Sequence, residues 1–128
     1  MKTLRLKGRV SSGKGQGREF VNLSWARKQI EEKLGFTPYS GTLNVRLDGE
    51  SIKMKGVLMN ATGAEILPAP SYCRGRIFEA SIMKVKCAVV IPEVPDYPED
   101  VVEVISSGNL RERFHLVDGS WVEVKVTF

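Results

Sequence analysis

Arg76-Ile77-Phe78-Glu79-Ala80-Ser81-Ile82-Met83-Lys84-Val85-Lys86-Cys87-Ala88-Val89-Val90-Ile91 is the stretch that decides the fold. Residues 76–82 and 85–91 are rich in β-branched and apolar side chains, and each half is long enough for one strand. They read as the two arms of a hairpin. Downstream, Pro92-Glu93-Val94-Pro95-Asp96-Tyr97-Pro98 is a proline-rich loop that resists regular structure. Residues 101–106 then read as a strand, 109–114 as a short helical turn and 121–128 as a closing strand.

Upstream, Pro68-Ala69-Pro70 breaks the pattern, and residues 52–58 and 64–67 read as short strands. In residues 42–47, Leu43, Val45 and Leu47 share one face, and Thr42, Asn44 and Arg46 share the other. Residues 3–10 alternate in the same way, with Leu4, Leu6 and Val10 set against Arg5, Lys7 and Arg9. After the glycines at 13, 15 and 17, Arg18-Glu19-Phe20-Val21 resumes an extended pattern. One clear α-helix is expected near residues 25–34, capped by Ser24 and ended by Gly35 in the left-handed region. Ala26, Ile30 and Leu34 share its inner face. About seven short strands, turn signals between them and one helix predict a mainly β chain, closed or nearly closed into a small barrel.

Composition sets wider limits. At 128 residues with 42% hydrophobic content, the chain fits one domain with one core, residues 1–128. No apolar run is long enough to span a bilayer, and charges interrupt Met1-Lys2-Thr3-Leu4-Arg5 at once, so no membrane association is expected and the location expected is cytoplasmic. The net charge of +4 fits an anionic ligand such as a nucleotide, a phosphorylated metabolite or nucleic acid. The positive charges are dispersed, so a nucleic-acid partner is not expected. A monomer is expected. Cys73 and Cys87 are too few for a disulfide scaffold or a zinc site and read as reduced, partly buried thiols. The lone His115, between Phe114 and Leu116, reads as a packed or surface histidine near a helix end.

Four groups of residues carry candidate chemistry. In Gly13-Lys14-Gly15-Gln16-Gly17-Arg18, glycine lets backbone N–H groups approach phosphates closely, and Lys14 and Arg18 add positive charge. The spacing is neither a Walker A loop nor a Rossmann fingerprint, and a flexible hairpin accounts for the pattern equally well. Thr42 and Asn44 leave one strand face side by side and offer a hydroxyl and an amide oxygen, hard ligands suited to Mg²⁺. An ordinary solvent-facing pair is the competing account. Glu103 shares a face with Val101 and Ile105, a costly place for a carboxylate unless a ligand, partner or solvent meets it; a solvated sheet edge is the alternative. Gly108-Asn109-Leu110-Arg111 opens the short helix, with Asn109 as N-cap. Arg111 is free either to bind an anion or to pair with Glu112 or Asp118.

These pieces, in this order, resemble the archaeal CTP-dependent riboflavin kinases. The likeness rests on Ser12-Gly13-Lys14-Gly15-Gln16-Gly17-Arg18-Glu19-Phe20, on Leu34-Gly35-Phe36-Thr37-Pro38-Tyr39-Ser40-Gly41-Thr42-Leu43-Asn44, on Val101-Val102-Glu103-Val104-Ile105 and on Asn109-Leu110-Arg111-Glu112. It runs nearly end to end and is looser from about residue 50 to 76. The resemblance implies a six-stranded barrel of the cradle-loop type that transfers the γ-phosphoryl group of CTP to the 5′-hydroxyl of riboflavin, giving FMN and CDP. It also implies that residues 13–18 and 108–111 bind the CTP or CDP nucleotide, that Thr42 and Asn44 hold Mg²⁺, and that Glu103 contacts the flavin. Thr42, Asn44 and Glu103 are thereby the candidate catalytic set. Pro95 stands where the family tends to have a flavin-contacting threonine, and Val94 where a basic residue is expected. Proline has neither a hydroxyl nor an N–H to donate. The alternative from a different class is a non-catalytic small β-barrel that binds nucleotides or DNA.

Overall fold

A computed structural model describes residues 2–13, 16–61, 64–67 and 74–128. Its elements run β1 (Thr3–Ser11), α1 (Gln16–Asn22), α2 (Ser24–Leu34), β2 (Leu43–Leu47), α3 (Gly49–Met59), β3 (Ala64–Ile66), β4 (Gly75–Ile82), β5 (Val85–Pro92), β6 (Val101–Ile105), α4 (Leu110–Phe114) and β7 (Trp121–Thr127). The strands lie in the order β3-β4-β5-β6-β2-β1-β7, and β4 also pairs with β7. That last pairing closes six strands into an antiparallel barrel and leaves β3 as a flap on β4.

The alternation in the sequence explains the closure. Around the ring the registers pair Leu6 with Val124, Val10 with Val45, Val45 with Val102, Val104 with Val89, Val89 with Phe78, and Ala80 with Val126. All of these side chains fill the barrel interior. Burying such apolar faces is what drives the sheet to curl shut, and closure removes exposed edges. Leu58 of α3 and Leu110 of α4 join this core. Helix α3 follows the C-terminal end of β2, and α4 follows that of β6. Because β2 and β6 are antiparallel, with Leu43 opposite Val104, the two helices plug opposite ends of the barrel. A second core lies outside it, where Phe20, Val21, Ala26, Ile30 and Leu34 pack on Ile77, Ala88, Val90 and Ile105.

Several local expectations are corrected. Residues 18–21 are not extended but belong to α1. Phe20 and Val21 are adjacent and both buried, which a strand with one solvated face cannot achieve. Phe20 also meets Trp25 edge-on, with ring centroids 5.7 Å apart. Residues 52–58 are not a strand but most of α3. The Asp48 side chain caps this helix by accepting from the Ser51 N–H at 2.8 Å, and Ser51, Lys55 and Leu58 form its buried stripe. Ser24 is not a cap but the first residue of α2, and Leu23 precedes it without a side-chain cap. Gly35 ends α2 in the left-handed conformation, φ 75°, as expected. His115 ends α4 and is exposed. Cys87 is fully buried, and burial pushes its thiol up to about 12; Cys73 lies outside the described residues.

Candidate active site

Strands β2 and β6 lie side by side, with Asn44 directly opposite Glu103. Glu103 is 2% exposed, so it does not sit on a solvated edge. The odd-numbered side chains of β6 leave the barrel on its outer side, opposite to core residues Val102 and Val104. Ile105 is covered by the second core, whereas Glu103 is held by hydrogen bonds. The Thr42 hydroxyl donates to Glu103 Oε1 at 2.7 Å, and the Tyr97 hydroxyl donates to Glu103 Oε2 at 2.7 Å. One polar donor per carboxyl oxygen is what makes this burial tolerable. Tyr97 is itself half-buried; burial first, and the Glu103 carboxyl second, raise its phenol above the ordinary range.

This chain of two hydrogen bonds links three cavities. Thr42 lines a polar cleft of about 240 Å³ at the α4 end of the barrel, with Arg18, Tyr39, Ser40, Gly41, Ser106, Gly108, Asn109, Leu110 and Arg111 around it. Glu103 and Asn44 line a smaller hollow of about 170 Å³ together with Ser12, Gly13 and Tyr97. Tyr97 also lines a groove of about 550 Å³ at the α3 end, whose walls include Ile52, Met59, Ile91, Val94 and Pro95.

The polar cleft is built by tethers to the 36–41 segment. Asn22 Nδ2 donates to the Ser40 carbonyl at 2.8 Å, and the Tyr39 N–H donates to the Ser106 carbonyl at 2.8 Å. Asn109 caps α4, its Oδ1 accepting from the Glu112 N–H at 3.3 Å, while its Nδ2 reaches the Tyr39 hydroxyl at 3.4 Å. Arg111 pairs with Asp118 at 2.7 Å, one of the two partners expected for it, and still lines the cleft. The Arg111 guanidinium is the main cause, with the Ser12 hydroxyl second, that holds the Asp118 carboxyl below its usual range. Leu110 is buried in the barrel core, and Gly108 is exposed on the rim.

The structure thus brings Gly13, Thr42, Asn44 and Glu103 to one place, and sets Arg18, Gly108, Asn109, Leu110 and Arg111 beside it. Gly13 is packed so tightly on Asn44 that a Cβ there would overlap Asn44 Oδ1. Lys14 and Gly15 lie outside the described residues, and Gln16 and Gly17 open α1. Pro95 is on the groove wall rather than beside Glu103. Sequence reasoning passed over Tyr39 and weighed Tyr97 only, with Asp96, as a neighbour able to replace the hydroxyl missing at Pro95; both tyrosines lie in segments it marked as loops or turns, and their long polar tips were the available signal.

Thr42 gives its proton to Glu103, so its oxygen lone pairs are left for another partner, and Asn44 Oδ1 adds a second neutral oxygen nearby. Among the described residues there is no cluster of three His, Cys, Asp or Glu able to hold a metal. Two neutral oxygens suit a cation that completes its shell with waters and ligand phosphates, as Mg²⁺ does. Among the described residues, no helix is long and apolar enough to cross a membrane.

Comparison with known proteins agrees with this geometry. A family model labelled CTP-dep RFKase, described as the domain of unknown function DUF120, matches residues 10–126. The chain is 40% identical over 131 residues to a riboflavin kinase of Pyrobaculum islandicum, covering 97% of this chain and 61% of that protein. It is 39% identical over 131 residues to a riboflavin kinase of Archaeoglobus fulgidus, covering 97% and 55%. With a riboflavin kinase of Ignicoccus hospitalis it shares 40% over 129 residues, covering 98% and 72%. The chain spans about three fifths of the length of the first two of these relatives. It belongs to the riboflavin kinase family that the model and these relatives define.

Proposed function

We propose that this member of the riboflavin kinase family transfers the γ-phosphoryl group of CTP to the riboflavin 5′-hydroxyl, giving FMN and CDP. The observation that carries the reading is the Thr42–Glu103–Tyr97 chain, which joins a polar cleft fit for a nucleotide to an apolar groove fit for a planar ring.

In the cleft, Arg18 and Arg111 would meet phosphate charge, and Gly13 with the backbone that follows it would supply close N–H donors. Gly108 to Arg111 would hold the cytidine end. Thr42 and Asn44 would hold Mg²⁺, which when bound would neutralise charge on the donor phosphates. In the groove, Ile52, Met59, Ile91, Val94 and Pro95 offer apolar walls to the isoalloxazine ring. Pro95 contributes surface there but no donor. Glu103, joined to the groove through Tyr97, would contact the flavin.

The step is an in-line displacement. The riboflavin hydroxyl oxygen forms a bond to the γ-phosphorus, the bond from that phosphorus to the β-phosphate oxygen breaks, CDP leaves, and the hydroxyl proton passes to solvent. Glu103 acts first as a substrate ligand that orients the hydroxyl. Positioning supplies most of the rate because phosphoryl transfer demands little covalent help. The family label supports CTP as donor, and the relatives' names support riboflavin as acceptor. We place the reaction on a cytoplasmic monomer.

The test is to incubate the protein with riboflavin, Mg²⁺ and each of the four nucleoside triphosphates in turn. FMN should form with CTP and far less with the others. No FMN with CTP would sink the proposal.

A further inference from the structure

Lys55 is 6% exposed on the inner side of α3. Its Nζ donates to the main-chain carbonyls of Val101 at 2.8 Å, Pro98 at 3.0 Å and Glu99 at 3.3 Å. Three donors meet three acceptors, so the ammonium group is saturated. It also lies 5.1 Å from the centre of the Tyr97 ring. Burial pulls the Lys55 pKa down, and the carboxylates of Asp100 and then Glu99 oppose that pull.

An apolar side chain would fill this place between Ser51 and Leu58 at less cost than a buried cation. The three hydrogen bonds explain why a lysine is there, and their targets are specific. Pro98, Glu99 and Val101 form the link from Tyr97 to β6, and Tyr97 donates to Glu103 on that same strand. The ammonium group therefore ties down the short link between the two ends of the Tyr97–Glu103 hydrogen bond.

We propose that Lys55 is a positioning residue of the site: it fixes Tyr97 in place and thereby the orientation of the Glu103 carboxyl. The kinetic part of the proposal rests on the riboflavin kinase reading above; the geometric part does not. Lys55 borders the groove, but its Nζ donors are spent on the carbonyls of the 98–101 link, so it acts through that link and the Tyr97 ring.

The test compares Lys55→Met, which keeps length and loses the donors, with Lys55→Arg, which keeps donors, and with Tyr97→Phe. Lys55→Met should lower kcat/KM for riboflavin about tenfold and change the KM for the nucleotide less than twofold. Tyr97→Phe should show the same split, Lys55→Arg should recover part of the loss, and Lys55→Met/Tyr97→Phe should be no worse than the worse single variant. A variant that melts earlier but keeps wild-type kinetics, or losses that multiply in the double variant, would overturn the proposal. Should Lys55→Met not fold, Lys55→Gln is read in the same way.

A second measurement needs no activity. Phenol absorbance is followed up to pH 11, with circular dichroism confirming the fold, and Tyr97→Phe identifies the signal of Tyr97. Tyr97 should be silent in the wild type and appear as one extra titrating phenol in Lys55→Met. Removing a cation from beside a phenol would by itself make that phenol harder to ionise. An extra phenol therefore reports that Tyr97 has moved, and no extra phenol overturns the proposal. If the wild type makes no FMN, the kinase reading falls, and the phenol count still decides the role of Lys55.

Discussion

Thr42 donates to Glu103 from a diagonal position: the residue directly opposite Glu103 is Asn44, and Thr42 stands two places before it. Diagonal neighbours on a sheet face are within reach of longer side chains. One buried carboxyl thus fixes the hydroxyl rotor of Thr42 and stands across the strand pair from Asn44, the two residues whose oxygens would hold a cation. Tyr97 occupies its second oxygen from the other side.

Glu103→Gln keeps the shape but replaces one acceptor oxygen by an amide donor. Either the Thr42 or the Tyr97 hydroxyl then faces a donor in a buried place. The expected cost is about 1–3 kcal/mol of stability. FMN formation should fall by more than tenfold, and activity within twofold of wild type would remove Glu103 from the site.

Asn44→Ala should stay folded, because Asn44 is only half-buried and its backbone pairing on β2 is kept. It should lose most activity, as should Thr42→Val, while Thr42→Ser keeps the hydroxyl and should retain a good part. Titrating Mg²⁺ at fixed CTP should show a higher half-saturation in the damaged variants. An unchanged Mg²⁺ dependence would reject the proposed role of these two oxygens.

Gly13→Ala places a Cβ on the Asn44 amide, and the flexible side chain must swing away. Activity should fall with little change in melting temperature. Gly8→Ala is the contrast: there the added Cβ meets the Arg46 backbone carbonyl across the β1–β2 pair, which has no such freedom. That variant should lose stability outright in a denaturant titration.

Cys87 supplies an alkaline prediction. Burial raises its thiol from 9.0 to about 12, so the folded chain holds the proton more tightly than the unfolded one. A raised pKa contributes stability that is complete below pH 9 and is lost as pH rises toward 12. Cys87→Ala should be somewhat less stable at pH 8 and should lose less between pH 9 and 11. Tyr97 shifts in the same direction for the same first reason, so part of the alkaline decline should persist in that variant. Equal slopes in the two proteins would exclude Cys87 as a contributor.

Much of the barrel was readable from local pattern. The alternation in residues 3–10 and 42–47 places one apolar face inside, the closing strand expected at 121–128 is β7, and the hairpin arms at 76–82 and 85–91 fall within β4 and β5. Gly35 and Asn109 end and begin helices by their own backbone and side-chain chemistry, so their places were visible too. Helix α3 was not, because its buried stripe includes Ser51 and Lys55, two polar residues that break the apolar period. Their partners, the Lys7 N–H and the carbonyls of residues 98, 99 and 101, are more than forty positions away.

Local pattern set most of the strands, the closing apolar face and the residue types gathered around the polar cleft, since side-chain periodicity is a local property of the chain. The partners of Glu103 come from the tertiary fold alone. Its neighbours Val102 and Val104 face the core, and nothing nearby in sequence explains a buried carboxyl on the other side. That explanation lies in Thr42, 61 positions away, and in Tyr97, whose ring is flanked by Lys55 of α3. A buried polar group is stable only with its partners, and the fold chooses those partners.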